Sequence, residues 1–118
     1  MYHYKAVLVR VVDGDTIDVD IDLGFDVWLK KQRVRLAGID APESRTRNKA
    51  EKVLGLAAKA RLVELCSGEI QIESLGKGKY GRILGVPRTS EGTSICQILI
   101  DEGHAIEYWG GKKVWVWA

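Results

Sequence analysis

The sequence predicts a β-barrel with helices, an α+β fold, on three observations: apolar alternation in the first third, a change to helical period near residue 48, and short strands again before a second helix. Alternation over 6–12 and 17–22, joined at Asp13-Gly14, makes an opening hairpin. Residues 23–26 turn the chain again, and 27–36, rich in aliphatic and basic residues, add a third strand that pairs back on the second. From Asn48, with Glu51 in capping-box-like spacing, Ala50, Val53, Leu54, Ala57 and Leu65 fall on one side of a helix that stops near Ser67-Gly68. Gly55 in its interior costs about 1 kcal/mol relative to Ala, and Leu56, Leu62 and Val63 widen the apolar face. Strands follow over 69–75 and 82–87, then a second helix over 94–102 with Ile95, Ile98 and Leu99 on one side and Gly103 as its stop. Three strands, a helix, two strands and a helix is the element order of an OB-fold five-stranded barrel.

The 118 residues make one domain, 1–118, with a single core. A composition of 46% hydrophobic and 29% charged residues is that of a globular protein. No apolar run approaches the roughly 20 residues that cross a bilayer. Residues 1–5 lack the basic and apolar regions of a secretory signal, and Cys66 and Cys96 fall inside the expected helices, so a cytoplasmic, reduced protein is expected. A net charge of +2 does not identify a nucleic-acid binder, but its distribution is informative. Acids gather at Asp13, Asp15, Asp18, Asp20, Asp22 and Asp26, and bases at Arg33, Arg35, Arg45, Arg47 and Lys49 and again at Lys77, Lys79, Arg82 and Arg88. That asymmetry suits a cation site beside an anion-binding surface.

Asp18, Asp20 and Asp22 share the strand face opposite Ile17, Val19 and Ile21 and read as a solvated face. Asp15 has the parity of Ile17 and stands at the strand's mouth, where a carboxylate needs a cation or donors; a turn cap is the plainer reading. Asp40 lies in a loop stiffened by Pro42, where a turn role is equally open. Glu43 reads as a first-turn acid favourable to a helix dipole, and Arg35 and Arg82, taken singly, as surface residues. Lys79 and Tyr80 read as turn residues beside Gly78 and Gly81. No His or Cys pair has zinc-ligand spacing.

Three words stand in a distinctive order: Asp13-Gly14-Asp15-Thr16, Arg35-Leu36-Ala37-Gly38-Ile39-Asp40-Ala41-Pro42-Glu43 and Lys79-Tyr80-Gly81-Arg82. Their order and spacing resemble the staphylococcal nuclease (thermonuclease) family, from near Val7 to near Ala105 and most closely its shorter phage and bacterial members. The resemblance implies this same barrel and a calcium-dependent endonuclease that cuts DNA and RNA, single-stranded or frayed, leaving 3′-phosphates and acting as a monomer. By the same resemblance Asp15 and Asp40 ligate Ca2+ through their carboxylates and Ala41 through its carbonyl, although the family commonly has Thr at that position. Arg35 and Arg82 would stabilise the phosphoryl charge and Glu43 would handle the attacking water. Lys79 and Tyr80 would contact substrate phosphate, and Tyr108 or Trp109 would offer a ring on which a base stacks, a core or lid role for them being equally open.

Set beside the staphylococcal secreted enzyme that it resembles, the chain is expected to have a longer hairpin over 23–32 and to lack that enzyme's long third helix after residue 105. The val-trp alternation at Val114, Trp115, Val116 and Trp117 is compatible with packing on the barrel, pairing with another chain or a disordered end. The main rival to a nuclease is a catalytically inactive OB-fold module that only binds nucleic acid, and a protein-interaction barrel is the third possibility. Asp15, Arg35, Asp40, Glu43 and Arg82 occurring together favour the nuclease, because a binder has no use for a carboxylate pair beside a water-handling glutamate.

Overall fold

The alternation that predicts strands also fixes the inside of the molecule. Ile17, Val19 and Ile21 from one strand, Val34 and Leu36 from the next, and Ile70 and Ile72 from a later one are all buried in a shared core. The computed structural model describes residues 2–77, 82–113, 115 and 117. Its strands are β1 (Tyr2–Asp13), β2 (Thr16–Asp22), β3 (Trp28–Leu36), β4 (Ile39–Asp40), β5 (Glu69–Lys77), β6 (Ile83–Arg88) and β7 (Ile106–Glu107). Two helices join them, α1 (Lys49–Leu65) and α2 (Ile95–Asp101). Five strands close a barrel in the order β1-β2-β3-β6-β5, and β4 pairs with β7 beside it. This is the five-stranded OB-fold barrel that the element order predicts.

The first strand is longer than its apolar alternation. It pairs with β5 from Tyr2 and with β2 from Lys5, and its register slips between Leu8 and Arg10 and again between Val11 and Asp13. Those irregularities let Ala6 and Val11, of opposite parity, both face the core. The barrel closes where β3 runs parallel to β6, with Val34 opposite Ile83, Arg35 opposite Leu84 and Leu36 opposite Gly85. That seam carries Arg82 to the side of β3 from which Arg35 projects.

The three aspartates of β2 are not one solvated face. Asp18 is buried between Arg10 and Arg33, its register partners on the two neighbouring strands. Arg10 Nε donates to Oδ2 at 2.9 Å, and Arg33 donates through Nε to Oδ1 at 2.9 Å and through Nη2 to Oδ2 at 3.2 Å. The Arg33 hydrogen bonds hold the Asp18 carboxyl below its usual range against the opposing effect of burial, with Arg10 adding to the shift. Asp20 and Asp22 accept from the main-chain N–H of Lys31 and Gly24 and pin the hairpin instead.

The inward face of α1 also differs from the expectation. Gly55, Ala58 and Leu62 are its buried residues, whereas Val53 is 67% and Leu54 41% exposed, and Ala50 and Ala57 also face outward. Of the expected face Leu62 is buried in the core and Leu65 packs against it, whereas Leu56 and Val63 are exposed. The reason is a close approach that only glycine permits. A Cβ on Gly55 would stand 2.3 Å from the Glu43 carbonyl oxygen and 2.6 Å from the Ser44 nitrogen. At its start Asn48 caps α1 by accepting from the Glu51 N–H at 3.1 Å, but Glu51 does not complete the box; its carboxylate accepts from the Glu43 N–H at 3.0 Å.

In α2, capped by Ser94, the buried residues are Ile95, Cys96 and Leu99. Gly103 follows with φ 79°, the left-handed conformation that ends a helix. Arg61 of α1 and Glu102 pair through two hydrogen bonds of 2.6 and 2.9 Å and tie the helices together. Cys66 and Cys96 are free, buried thiols, each pushed up to about 12 by burial. Among the described residues no helix is long and apolar enough to cross a membrane.

Candidate active site

The turn between β1 and β2 brings Asp13 and Asp15 against the segment that follows β4. Asp13 Oδ1 accepts from the Ser44 N–H at 3.0 Å and also from the Ser44 hydroxyl. Asp15 Oδ2 accepts from the Ala41 N–H at 3.3 Å. Gly14 between them is buried, and a Cβ there would lie 2.8 Å from the Ala58 Cβ and 3.0 Å from the Ala41 Cβ. The acidic turn, the 41–44 segment and α1 are thus packed as one body, and Glu43 sits on it, exposed to solvent.

Asp40 lies on a strand rather than in a free loop. Ile39 and Asp40 pair with Glu107 and Ile106, and Asp40 is only 3% exposed. Arg35 binds this region through its guanidinium: Nη1 donates to the Leu36 carbonyl at 2.8 Å and to the Asp15 carbonyl at 3.4 Å, and Nη2 donates to the Ile39 carbonyl at 2.8 Å. The same Nη2 lies 3.6 Å from Asp15 Oδ2 and 3.9 Å from Asp40 Oδ1. Two carboxylates therefore flank one small volume, with a cation already attracted to it. Asp40 has two further partners. Lys113 Nζ donates to Oδ1 at 2.9 Å and Trp115 Nε1 to Oδ2 at 3.1 Å.

These residues line a cleft of about 550 Å3 that holds Asp15, Asp40, Ala41, Glu43, Arg35 and Arg82 together with Asp13, Glu51, Arg33, Lys113, Trp115 and Trp117. An adjoining cavity of about 350 Å3 shares Arg35 and Arg82 and is walled by Tyr108, Trp109 and Gly38. Trp109 is exposed, stands over Gly38 and donates from Nε1 to Glu107 at 3.2 Å. Tyr108 is half-buried. Lys79 and Tyr80 lie outside the described residues.

The cleft carries five carboxylates (Asp13, Asp15, Asp40, Glu43 and Glu51) against four cationic side chains, of which Arg33 is committed to Asp18 and Lys113 to Asp40. A polyanionic ligand entering it would meet net repulsion unless a further cation sat between the carboxylates. The donors are all oxygen, which suits a hard divalent ion. Among the described residues no group of three or more His, Cys, Asp and Glu is gathered tightly enough to hold a metal by itself. The donors here, two carboxylates open to a cleft with room for water, suit such an ion.

Sequence reasoning passed over the roles of Asp13 and Glu51, read as a turn residue and a capping residue, and of Lys113. Asp13 had a signal, since an acid two positions before Asp15 must lie near it. For Lys113 and Trp115 there was none, because nothing in a short lysine- and tryptophan-bearing segment says where it docks.

Residues 33–113 match the model of the family described as staphylococcal nuclease homologue. The chain is 37% identical over 114 residues to a micrococcal nuclease of Shigella flexneri, an alignment covering 89% of this chain and 59% of that protein. It is 39% identical over 106 residues to endonuclease YncB of Bacillus subtilis, covering 86% of this chain and 46% of that one. Protein ParB of Escherichia coli is 35% identical over 82 residues, or 69% of this chain and 40% of ParB. The chain thus spans about half of the length of the curated relatives it matches. With the barrel, the two arginines at its seam and the paired carboxylates beside them, the chain belongs to the staphylococcal nuclease family.

Proposed function

We propose that the chain is a calcium-dependent endonuclease that hydrolyses phosphodiester bonds of DNA and RNA, in single strands or frayed duplex, and leaves 3′-phosphates. One observation carries the reading: Arg35, Arg82, Asp15, Asp40 and Glu43, drawn from separate parts of the chain, line one open cleft. Asp15 and Asp40, with the Ala41 carbonyl, would hold the ion, which when bound supplies positive charge to phosphate oxygens and makes nearby water more acidic.

The protein's own groups do the rest. Arg35 is anchored by three main-chain carbonyls, so its fork is fixed before substrate arrives and no reorganisation is needed as charge builds on the phosphoryl oxygens. Arg82 lines the same cleft from the position just before β6 and offers a second fork. Glu43 is exposed at the cleft edge, and its main chain is tethered to Glu51, so its carboxylate can meet a water approaching the phosphate opposite the leaving oxygen. The Tyr108 and Trp109 cavity beyond the arginines would receive a neighbouring base.

Kinetics of Arg35→Lys test this reading. Lysine keeps the charge but cannot satisfy three carbonyls and present a planar fork, so kcat should fall about 100-fold or more while the melting curve stays close to that of the parent. Parental kcat in this variant would remove Arg35 from the machinery.

A further inference from the structure

The carboxylate of Asp40 is occupied at both oxygens by one short segment of the same chain. Lys113 Nζ approaches Oδ1 to 2.9 Å and the Trp115 indole N–H approaches Oδ2 to 3.1 Å. The segment is folded back by its own contacts. Gly110 and Gly111, with φ of 113° and 87°, bend the chain in a conformation that side chains rarely adopt. The Tyr108 hydroxyl then donates to the Gly111 carbonyl at 2.8 Å. The Trp115 ring meets the Tyr108 ring edge-on at 5.1 Å, and Lys113 Nζ lies 5.7 Å from that ring's centre. Trp117 reaches the same cleft.

We infer that residues 110–113 with Trp115 and Trp117 form an internal strap over the metal site, whose Lys113 ammonium and Trp115 indole hold Asp40 and must be displaced for calcium to bind. This rests on the reading of Asp40 as a calcium ligand. The physical argument is one of competition. An ammonium donating to a carboxylate that is 5% exposed and a divalent ion on that carboxylate make use of the same lone pairs and the same negative charge. Lys113 is itself half exposed, so its pair with Asp40 is one that water and a divalent ion can dissolve. The strap therefore sets the calcium concentration at which the cleft becomes able to accept a polyanion: closed, it holds the place of the ion and fills part of the cleft with indole; open, it leaves both.

The inference is tested by calorimetric titration of the whole chain with CaCl2, without substrate. If the strap is closed in most molecules, the apparent dissociation constant exceeds the intrinsic one by the reciprocal of the open fraction, so Lys113→Ala should bind calcium about 3- to 10-fold more tightly. Trp115→Phe, which keeps a ring against Tyr108 and loses only the N–H donor, should shift the constant in the same direction by a smaller factor. Lys112→Ala removes an equal charge from an exposed neighbour and should leave the constant unchanged. Calcium should also change the tryptophan emission of the parent, and Trp115→Phe should abolish most of that change. Equal calcium affinity in the parent, Lys113→Ala and Trp115→Phe, with binding lost in Asp40→Asn, overturns the strap and leaves the metal site standing. Absence of calcium binding in all of them overturns both. Circular dichroism of each variant establishes that a tighter or weaker constant belongs to a folded barrel.

Discussion

Asp18 illustrates what alternation does and does not convey. The pattern of β2 correctly gave the side of the sheet on which this carboxylate lies, but not that arginines on both flanking strands stand directly opposite it. Its carboxyl is held below the ordinary value of 3.8 by Arg33 first and by Arg10 further, so its contribution to stability is complete above that value and is lost as pH falls through the depressed one. Asp18→Asn should therefore cost about 1 to 2 kcal/mol at pH 7, and the gap to the parent should narrow as acid protonates the parent's carboxylate. Urea unfolding at pH 7 and near pH 3 checks this; equal midpoints at pH 7 would contradict it. The motif words named Asp15, Arg35, Asp40 and Glu43, which line one cleft, yet the tether of Arg35 to three carbonyls is invisible in them, because it depends on where the main chain of 36–39 turns.

At the scale of elements, strand and helix positions were legible to within a few residues, while the inward face of α1 was not. Counting apolar residues chose a stripe through Ala50, Val53, Leu54 and Ala57 widened by Leu62, but of these only Leu62 turns inward, in company with Gly55 and Ala58. The residue that looked like a defect determines that choice, since only glycine lets α1 approach the Glu43 carbonyl. Gly55→Ala should accordingly not stabilise the helix by the usual amount. It should destabilise the protein by about 1 to 3 kcal/mol and lower activity more than the melting temperature suggests, because the backbone that must give way carries Glu43. A more stable, fully active Gly55→Ala protein would contradict this close approach. The β4 and β7 pair was likewise not foreseen. Two-residue strands carry no periodicity, and this pairing, which presents Asp40 to the cleft, joins segments far apart in the chain.

For the whole molecule, closure of the barrel is what assembles chemistry from separated words. The parallel seam of β3 and β6 aligns Arg35 and Arg82, the β1–β2 turn carries Asp15, and the contact of α1 with the 43–44 backbone sets Glu43 at the rim. The sequence made the barrel and the cleft's principal residues legible through pattern and family resemblance. It could not reveal the strap, whose docking depends on two glycines that turn the chain and a tyrosine that catches it.

The central claim, that this cleft cuts nucleic acid with calcium, is tested most directly by incubating the purified chain with labelled single-stranded DNA and RNA. The reactions contain calcium or a chelator, with Glu43→Gln and Arg82→Ala measured in parallel. The account predicts cutting of both polymers that needs calcium and falls at least about 100-fold in each variant. Salt-sensitive binding of the strands by a folded parent that never cuts them would contradict it and make the barrel a binding module.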